Sequence, residues 1–113
     1  MQMTTDQSGG VAIVRVAETR LMYPLLQDFA SAVTALIDAG RRAIVIDLAP
    51  VTYVDSATIG CLMDLYRQAH ASGGQLKLSG VQKRVGTMLT MTGANSFLEI
   101  HQDEAAAVNS FGV

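Results

Sequence analysis

Short apolar segments alternate along the chain with longer stretches in which apolar residues recur at helical spacing. The segments VAIVRV (Val11 to Val16) and AIVIDL (Ala43 to Leu48) are apolar and β-branched, and both predict strands. AIVIDL is almost continuously apolar, which is typical of a parallel strand covered by helices on both faces. The segments QLKLSG and FLEIH (Phe97 to His101) predict two further strands.

Four stretches have the apolar spacing of helices. Pro24 opens the first, which continues to Ile37, and proline is well tolerated at a first helical position. The second is predicted from about Ser56 to Ala71 and ends at Gly73-Gly74. The third covers VQKRVGTMLTMTG, and the short fourth covers DEAAAVNSF.

Strands that alternate with helices predict an α/β fold with an open, mostly parallel sheet of about four to five strands. We expect a single domain over residues 1–113, in which the polar residues 1–10 form a loose arm or an edge strand. Functional groups in such sheets gather at the carboxyl ends of the strands. The polar stretch VDSATIG (residues 54–60) follows the most buried strand and lies at that edge.

Helical periodicity divides the second predicted helix into two faces. At about 100° per residue, one face is apolar and should pack on the core: it carries Ile59, Leu62, Tyr66 and Ala69. The opposite face should be exposed and carries Ser56, Gly60, Asp64 and Arg67, with Met63 at the border. Glycine costs about 1 kcal/mol in a helix interior. Gly60 therefore predicts either close approach of another surface or a helix that crosses close to the sheet.

Asp55 and Ser56 have two interpretations at this point. Either side chain can cap the helix, which stabilises a helix by about 1 kcal/mol. An exposed hydroxyl at a helix start can also be the place where a phosphate is attached or bound, and capping does not exclude modification.

Composition and charge argue against nucleic-acid binding and against insertion into a membrane. The net charge is −2. The basic pairs Arg41-Arg42 and Lys83-Arg84 are short, and we interpret them as solvated loop and helix-start charges. We therefore predict no nucleic-acid binding. No apolar run approaches the roughly 18 residues that span a bilayer, so no direct membrane insertion is predicted. The lone Cys61 forms no internal disulfide, which favours a cytoplasmic protein.

No cofactor or metal site is predicted either, because ligand spacing and a phosphate-binding loop motif are both absent from the sequence. The enzyme alternative is a serine hydrolase that uses Ser56 as its nucleophile. The sequence has no G-x-S-x-G motif, and its only histidines are His70 and His101. His70 lies on the same predicted helix, roughly 21 Å from Ser56 at about 1.5 Å per residue. We therefore predict a binding module and not an enzyme.

A long segment, IDLAPVTYVDSATIGCLMDLYRQAHASGGQLKLSGVQKRVGTMLTMTG with the tail FLEIHQDEAAAV, resembles STAS domains. More narrowly, it is similar to bacterial anti-sigma factor antagonists, also called anti-anti-sigma factors. Their signature is D-L-x-x-V-x-F-h-D-S after an apolar strand, then a small residue and glycine, and an apolar helix that ends at G-G. The matching positions are Asp47-Leu48, Val51, Tyr53, Val54, Asp55-Ser56, Ile59-Gly60 and Gly73-Gly74. A later L-x-x-T-G…F-L-x-I pattern matches residues 89–93 and 97–100, so the resemblance covers about residues 11–111.

The resemblance implies the STAS fold and a role in partner switching. In that family the serine after the aspartate, Ser56 here, is phosphorylated by a kinase that is also an anti-sigma factor. The unphosphorylated domain binds that kinase and releases the sigma factor, and a metal-dependent serine/threonine phosphatase resets it. The implied partners are thus an anti-sigma factor serine/threonine kinase and a serine phosphatase. The expected partner surface is Asp55, Ser56, Thr58, Gly60, Met63, Asp64, Arg67 and Met22, together with the rest of the Thr19 to Tyr23 turn.

Two departures from the family pattern add alternatives. The family motif small-Gly-Leu-Gly is Ala57-Thr58-Ile59-Gly60 here, which makes Thr58 a second candidate phosphate acceptor. The family often has G-x-h-D after its first long strand, and that aspartate contacts the kinase, whereas ETRLMYP places Met22 near this position. The second departure favours an alternative role as an accessory STAS subunit that docks on a transport ATPase without being phosphorylated.

Overall fold

A computed structural model describes residues 1–112 of the chain. Its strands are β1 (Met3–Ser8), β2 (Val11–Val16), β3 (Arg20–Leu21), β4 (Ala43–Asp47), β5 (Tyr53–Val54), β6 (Gln75–Ser79) and β7 (Ile100–His101). Its helices are α1 (Leu26–Asp38), α2 (Ser56–Ala71), α3 (Lys83–Met91) and α4 (Glu104–Asn109), and a 3-10 turn occupies Ala94–Ser96.

The main sheet has five strands in the order β1-β2-β4-β6-β7. The contacts between β2, β4, β6 and β7 are parallel, and β1 pairs with β2 in the antiparallel direction. The predicted mostly parallel α/β sheet is therefore confirmed. The N-terminal segment is an edge strand, because Met3 to Ser8 pair residue by residue with β2.

Both faces of the sheet are buried, which explains the continuous apolar character of β4. Ile44 and Ile46 pack in the larger core with residues of α1, α2 and α3. Val45 points to the other face, where it packs with Ala107 of α4. The alternation of side chains along the strand thus places neighbouring apolar residues in two separate clusters.

A second, two-stranded sheet pairs β3 with β5 in parallel, with Arg20 opposite Tyr53 and Leu21 opposite Val54. It fixes the turn after β2 against the segment that enters α2. Neither two-residue strand is long enough to show a periodic pattern, so the sequence does not predict them.

Two predicted boundaries are wrong. Pro24 is not the first helical residue: it lies in a turn in which the Leu25 amide donates to the Met22 carbonyl at 2.8 Å, and α1 begins at Leu26. The last strand does not begin at Phe97. The amide of Phe97 donates to the Ala94 carbonyl at 3.0 Å and continues the 3-10 turn, so only Ile100–His101 pairs with β6.

The glycine pair after α2 has two distinct structural roles. Gly73 has a φ of 83°, a left-handed conformation that favours glycine at the end of a helix. Gly74 has no space for a side chain, because a Cβ atom there would lie 2.5 Å from the Arg42 carbonyl oxygen. This close approach lets the Gln75 amide donate to the same oxygen at 2.8 Å and start the pairing of β6 with β4.

A charged network attaches α4 to the sheet. Arg15 on β2 donates from Nε to Glu104 Oε2 at 2.6 Å and from Nη1 to Asp6 Oδ2 at 3.1 Å. Burial and contact with the Glu104 carboxylate raise the pKa of Asp47 to about 6. The Arg15 guanidinium, followed by Asp47, lowers the pKa of Glu104. Asp47 and Glu104 thus share a proton over a pH range in which free carboxyl groups are ionised.

The variant Asp47→Asn should remove a pH dependence of folding stability. The pKa of Asp47 is raised in the folded state, so its stabilising effect is present at low pH and is lost as pH rises through about 6. Between its ordinary value of 3.8 and about pH 6, wild type should therefore lose stability relative to Asp47→Asn, whose amide stays neutral. Urea denaturation of both proteins at each pH measures the difference, in which the contributions of groups that do not contact Asp47 cancel. A constant difference across that range would contradict the shared proton.

Candidate functional site

The start of α2 is capped by Asp55, which follows directly after β5. Its backbone is extended, and its Oδ1 atom accepts a hydrogen bond from the Thr58 amide at 2.9 Å. The capping interpretation is therefore confirmed for Asp55. Ser56, the first residue of the helix, is exposed, and its hydroxyl is left outside the cap.

Thr58 connects this cap to β3. Its hydroxyl lies 2.7 Å from the Leu21 carbonyl oxygen and 2.7 Å from Asp55 Oδ1. The hydroxyl carries one proton and donates to one of the two oxygens at a time. Its hydrogen bond, together with backbone amides, lowers the pKa of Asp55, so the cap is a carboxylate at neutral pH.

The structure contradicts the predicted roles of Thr58. Its side chain is 0 % exposed, because it packs between α2 and the carbonyl of Leu21. In this conformation neither a kinase nor a partner surface reaches the hydroxyl. Thr58 is therefore removed from the candidate phosphate acceptors and from the contact surface, and Ser56 is the exposed hydroxyl of the VDSATIG stretch.

The remaining residues of the predicted face are placed as the helical periodicity indicates. Gly60, Asp64 and Arg67 are exposed, and Met63 is half-buried at the border. Arg67 donates to Asp64 at 2.9 Å in a surface ion pair that contributes little stability. A Cβ atom at Gly60 would have nothing within 4 Å, so packing of α2 on the sheet does not require this glycine. Approach of another surface is the interpretation of Gly60 that stays open.

Met22 lies beside this face, at the end of β3, and is half-buried. The apolar side chain that the same turn exposes most is that of Tyr23, at 74 %. The sequence pattern does not distinguish these two neighbours, because the turn has no regular period. Both belong to the turn that was expected to contribute to the partner surface, and Tyr23 is the more exposed of the two.

Two open grooves border the first half of α2. The α1–α2 groove has Tyr23 at one end and includes Gln27, Gly60 and Asp64. The α2–α3 groove has a volume of about 720 Å³ and lies between the first turns of α2 and α3. Its lining includes Tyr53, Asp55, Ser56, Lys83, Arg84 and Met88. Ser56 therefore borders a concave surface that is large enough for another group to enter.

The α2–α3 groove is positively charged on its α3 side. Lys83 and Arg84 are exposed and are the first two residues of α3. The Tyr53 ring contacts two guanidinium groups, with Arg20 Cζ at 5.0 Å and Arg84 Cζ at 5.6 Å from its centroid. The sequence alone indicates only a solvated pair at Lys83-Arg84. The sequence signal for their placement is that the chain leads from two neighbouring parallel strands, β4 and β6, towards α2 and α3. The carboxyl ends of such strands meet at one edge of the sheet.

The histidines lie outside this arrangement. His70 stacks on Tyr66, with ring centroids 5.9 Å apart, and His101 Nε2 lies 2.7 Å from Glu99 Oε1. Neither is among the residues that line the groove with Ser56. Across residues 1–112, no three His, Cys, Asp or Glu side chains are grouped so that they could hold a metal ion. The same residues contain no helix with the length and apolarity to cross a bilayer.

Comparison with known proteins assigns the fold. An anti-sigma factor antagonist from Mycobacterium paratuberculosis superimposes with a TM-score of 0.87 at 17 % identity, covering 96 % of this chain and 92 % of that one. An anti-sigma-factor antagonist (STAS) domain protein from Planctomyces limnophilus gives 0.85 at 17 % identity, with 96 % and 95 % coverage. The phosphorylated form of SpoIIAA, a cell fate determinant of Bacillus, gives 0.75 at 13 % identity, with 97 % and 99 % coverage.

At these identities the structural matches show a shared fold. The assignment to a family comes from the sequence itself, since the family model described as the STAS domain matches residues 2–107. That match includes the strands of the main sheet, the capped start of α2 and both grooves beside it. The chain therefore belongs to the STAS domain family.

Proposed function

We propose that this STAS domain is an anti-sigma factor antagonist whose binding to an anti-sigma factor kinase is prevented by phosphorylation of Ser56. The observation that carries the proposal is the position of Ser56. It is exposed at the first turn of α2, directly after the capping Asp55, and it borders a groove. The unphosphorylated domain binds the kinase and thereby releases the sigma factor.

The chemistry is a phosphoryl transfer to a serine hydroxyl. The kinase transfers the terminal phosphoryl group of ATP to Ser56 Oγ, which forms a phosphate ester and ADP and releases the hydroxyl proton. A phosphatase later hydrolyses the ester with water to give inorganic phosphate and the free hydroxyl. The domain supplies the acceptor, and the partner enzymes supply the catalysis.

The electrostatic effect of this modification is large for so small a domain. A phosphate adds about −1.5 to −2 charges at neutral pH. The unmodified chain has a net charge of −2, so its total charge roughly doubles. A partner surface that fits a neutral hydroxyl offers this charge no counterion, and burying the charge against that surface costs several kcal/mol. Loss of binding therefore requires no change of fold.

The structure of α2 supports modification at this residue. Capping by Asp55 leaves the Ser56 hydroxyl free to react, and no acidic residue lies in the first turn of the helix. The positive end of the helix dipole stabilises a phosphate there by about 0.3–1 kcal/mol. The existence of a phosphorylated SpoIIAA with the same fold is consistent with such a site.

Phosphate labelling tests the proposal. Wild type, Ser56→Ala and the control Ser72→Ala, which changes the exposed serine at the other end of α2, are incubated with native cell lysate and labelled ATP. We expect label in wild type and in Ser72→Ala, none in Ser56→Ala, and a phosphorylated peptide that contains Ser56. Equal labelling of Ser56→Ala, or no label in any protein, would contradict the proposal.

A further inference from the structure

The α2–α3 groove brings the Ser56 hydroxyl and two cationic side chains to one concave surface. We propose that Lys83 and Arg84 form the receiving site for a phosphate carried by Ser56, so that the phosphoryl group of the modified domain binds in this groove. This inference rests on the proposed phosphorylation of Ser56, and it names the residues that bind the resulting phosphate group. It concerns the phosphorylated domain on its own, before any partner is present.

The charge pattern at the start of α3 favours an anion. The first backbone N–H groups of a helix have no intrahelical acceptor, and this end carries the positive part of the helix dipole. Helices usually place acidic residues or a capping side chain there. The first two residues of α3 are instead Lys83 and Arg84, its first turn has no acidic residue, and no side chain caps it. A dianion in the groove would balance the two cations and the helix end together.

The Tyr53 ring positions one of these cations. Arg84 Cζ lies 5.6 Å from the ring centroid, within the range of a cation–π contact, and Tyr53 also lines the groove. A guanidinium held in this way presents planar donors that match two phosphate oxygens at once. Lys83 adds a mobile ammonium group from the preceding position of α3.

The acidic side chain in the groove does not cancel these charges. Asp55 is the one carboxylate among the groove residues, against Lys83 and Arg84. Its Oδ1 atom is directed to the start of α2, where it accepts from the amide and lies within hydrogen-bond distance of the hydroxyl of Thr58. The groove therefore has an excess of positive charge on the side that faces α3.

Direct installation of phosphoserine tests the receiving site without the kinase. The full chain is produced with phosphoserine at position 56 by amber suppression, in the native background and with Lys83→Gln/Arg84→Gln. The second pKa of the phosphate is then measured by ³¹P NMR. Opposite charges nearby favour the dianion, so we expect this pKa to be lower in the native background by about half a unit or more.

The control Arg41→Gln/Arg42→Gln removes the same charge from the loop before β4, away from the groove. It should leave the phosphate pKa close to that of the native background. Equal pKa values in all three proteins, or equal shifts in both double variants, would overturn the receiving site. Because phosphoserine is installed directly, this result is independent of the labelling experiment, which alone decides whether native enzymes phosphorylate Ser56.

Discussion

The variant Ser56→Asp should lose binding to the kinase partner, whereas Ser56→Ala should keep it. We expect the affinity of Ser56→Asp to fall by about 100-fold or more. This corresponds to a loss of about 2.8 kcal/mol of binding free energy, since each 1.4 kcal/mol is about tenfold in affinity. The reason is local: a carboxylate at an exposed position of the contact surface would be buried in the complex against a partner surface that offers it no counterion. The alanine variant removes only an exposed hydroxyl and introduces no charge.

The partner is identified by capture from native lysate followed by mass spectrometry. The baits are wild type, Ser56→Ala and Ser56→Asp. Calorimetric titration of the purified partner then measures each affinity. The matched control is Ser72→Asp, which adds the same charge at the opposite end of α2 and should bind like wild type. Wild-type affinity of Ser56→Asp would refute the proposed switch. A transport ATPase captured equally by all baits would instead indicate an accessory subunit with the same fold.

The two proposals for Ser56 constrain each other. If Lys83 and Arg84 hold the phosphate, they also partly neutralise an aspartate at position 56, because both lie in the same groove. The variant Ser56→Asp should then lose less affinity than the phosphorylated domain, and its loss remains the one predicted above. In that case loss of binding in the phosphorylated domain arises from occupation of the groove as well as from added charge.

Much of the fold follows from apolar periodicity. The bounds of α2 agree with the prediction from Ser56 to Ala71, because an apolar face and a glycine stop mark both its length and its end. Pro24 is different: proline suits a first helical position and a turn equally well. The hydrogen bond from Leu25 to Met22 decides in favour of the turn, and no sequence pattern shows that bond.

The α2 side of the candidate site could be predicted from the sequence, but its α3 side could not. The exposed face of α2 follows from the spacing of Gly60 and Asp64 relative to Ser56. The same spacing puts Thr58 about 200° from Ser56, on the core side, so its burial could have been inferred from the angle rather than from its residue type. Lys83 could not be placed in this way, because its position beside Ser56 depends on how α2 and α3 are arranged on the sheet.

Thr58 has the largest expected effect on the stability of the site. The variant Thr58→Val keeps the shape of the side chain but removes the hydroxyl that lies between Leu21 and Asp55. Loss of a buried hydrogen-bond donor costs about 1–3 kcal/mol of unfolding free energy. The control Thr58→Ser keeps the hydroxyl and loses one buried methyl group, which costs about 1 kcal/mol.

The pH dependence of the unfolding free energy distinguishes the loss of the hydroxyl in Thr58→Val from the loss of the methyl group in Thr58→Ser. The Thr58 hydroxyl lowers the pKa of Asp55, so ionised Asp55 stabilises the fold above its ordinary pKa, and this stability is lost as pH falls through the folded-state pKa. The deficit of Thr58→Val relative to wild type should therefore shrink between about pH 7 and pH 3, whereas that of Thr58→Ser should stay constant. Urea denaturation at both pH values measures each deficit. An unchanged deficit of Thr58→Val would mean that its hydroxyl does not act on Asp55, and the capped start of α2 would then depend on backbone donors alone.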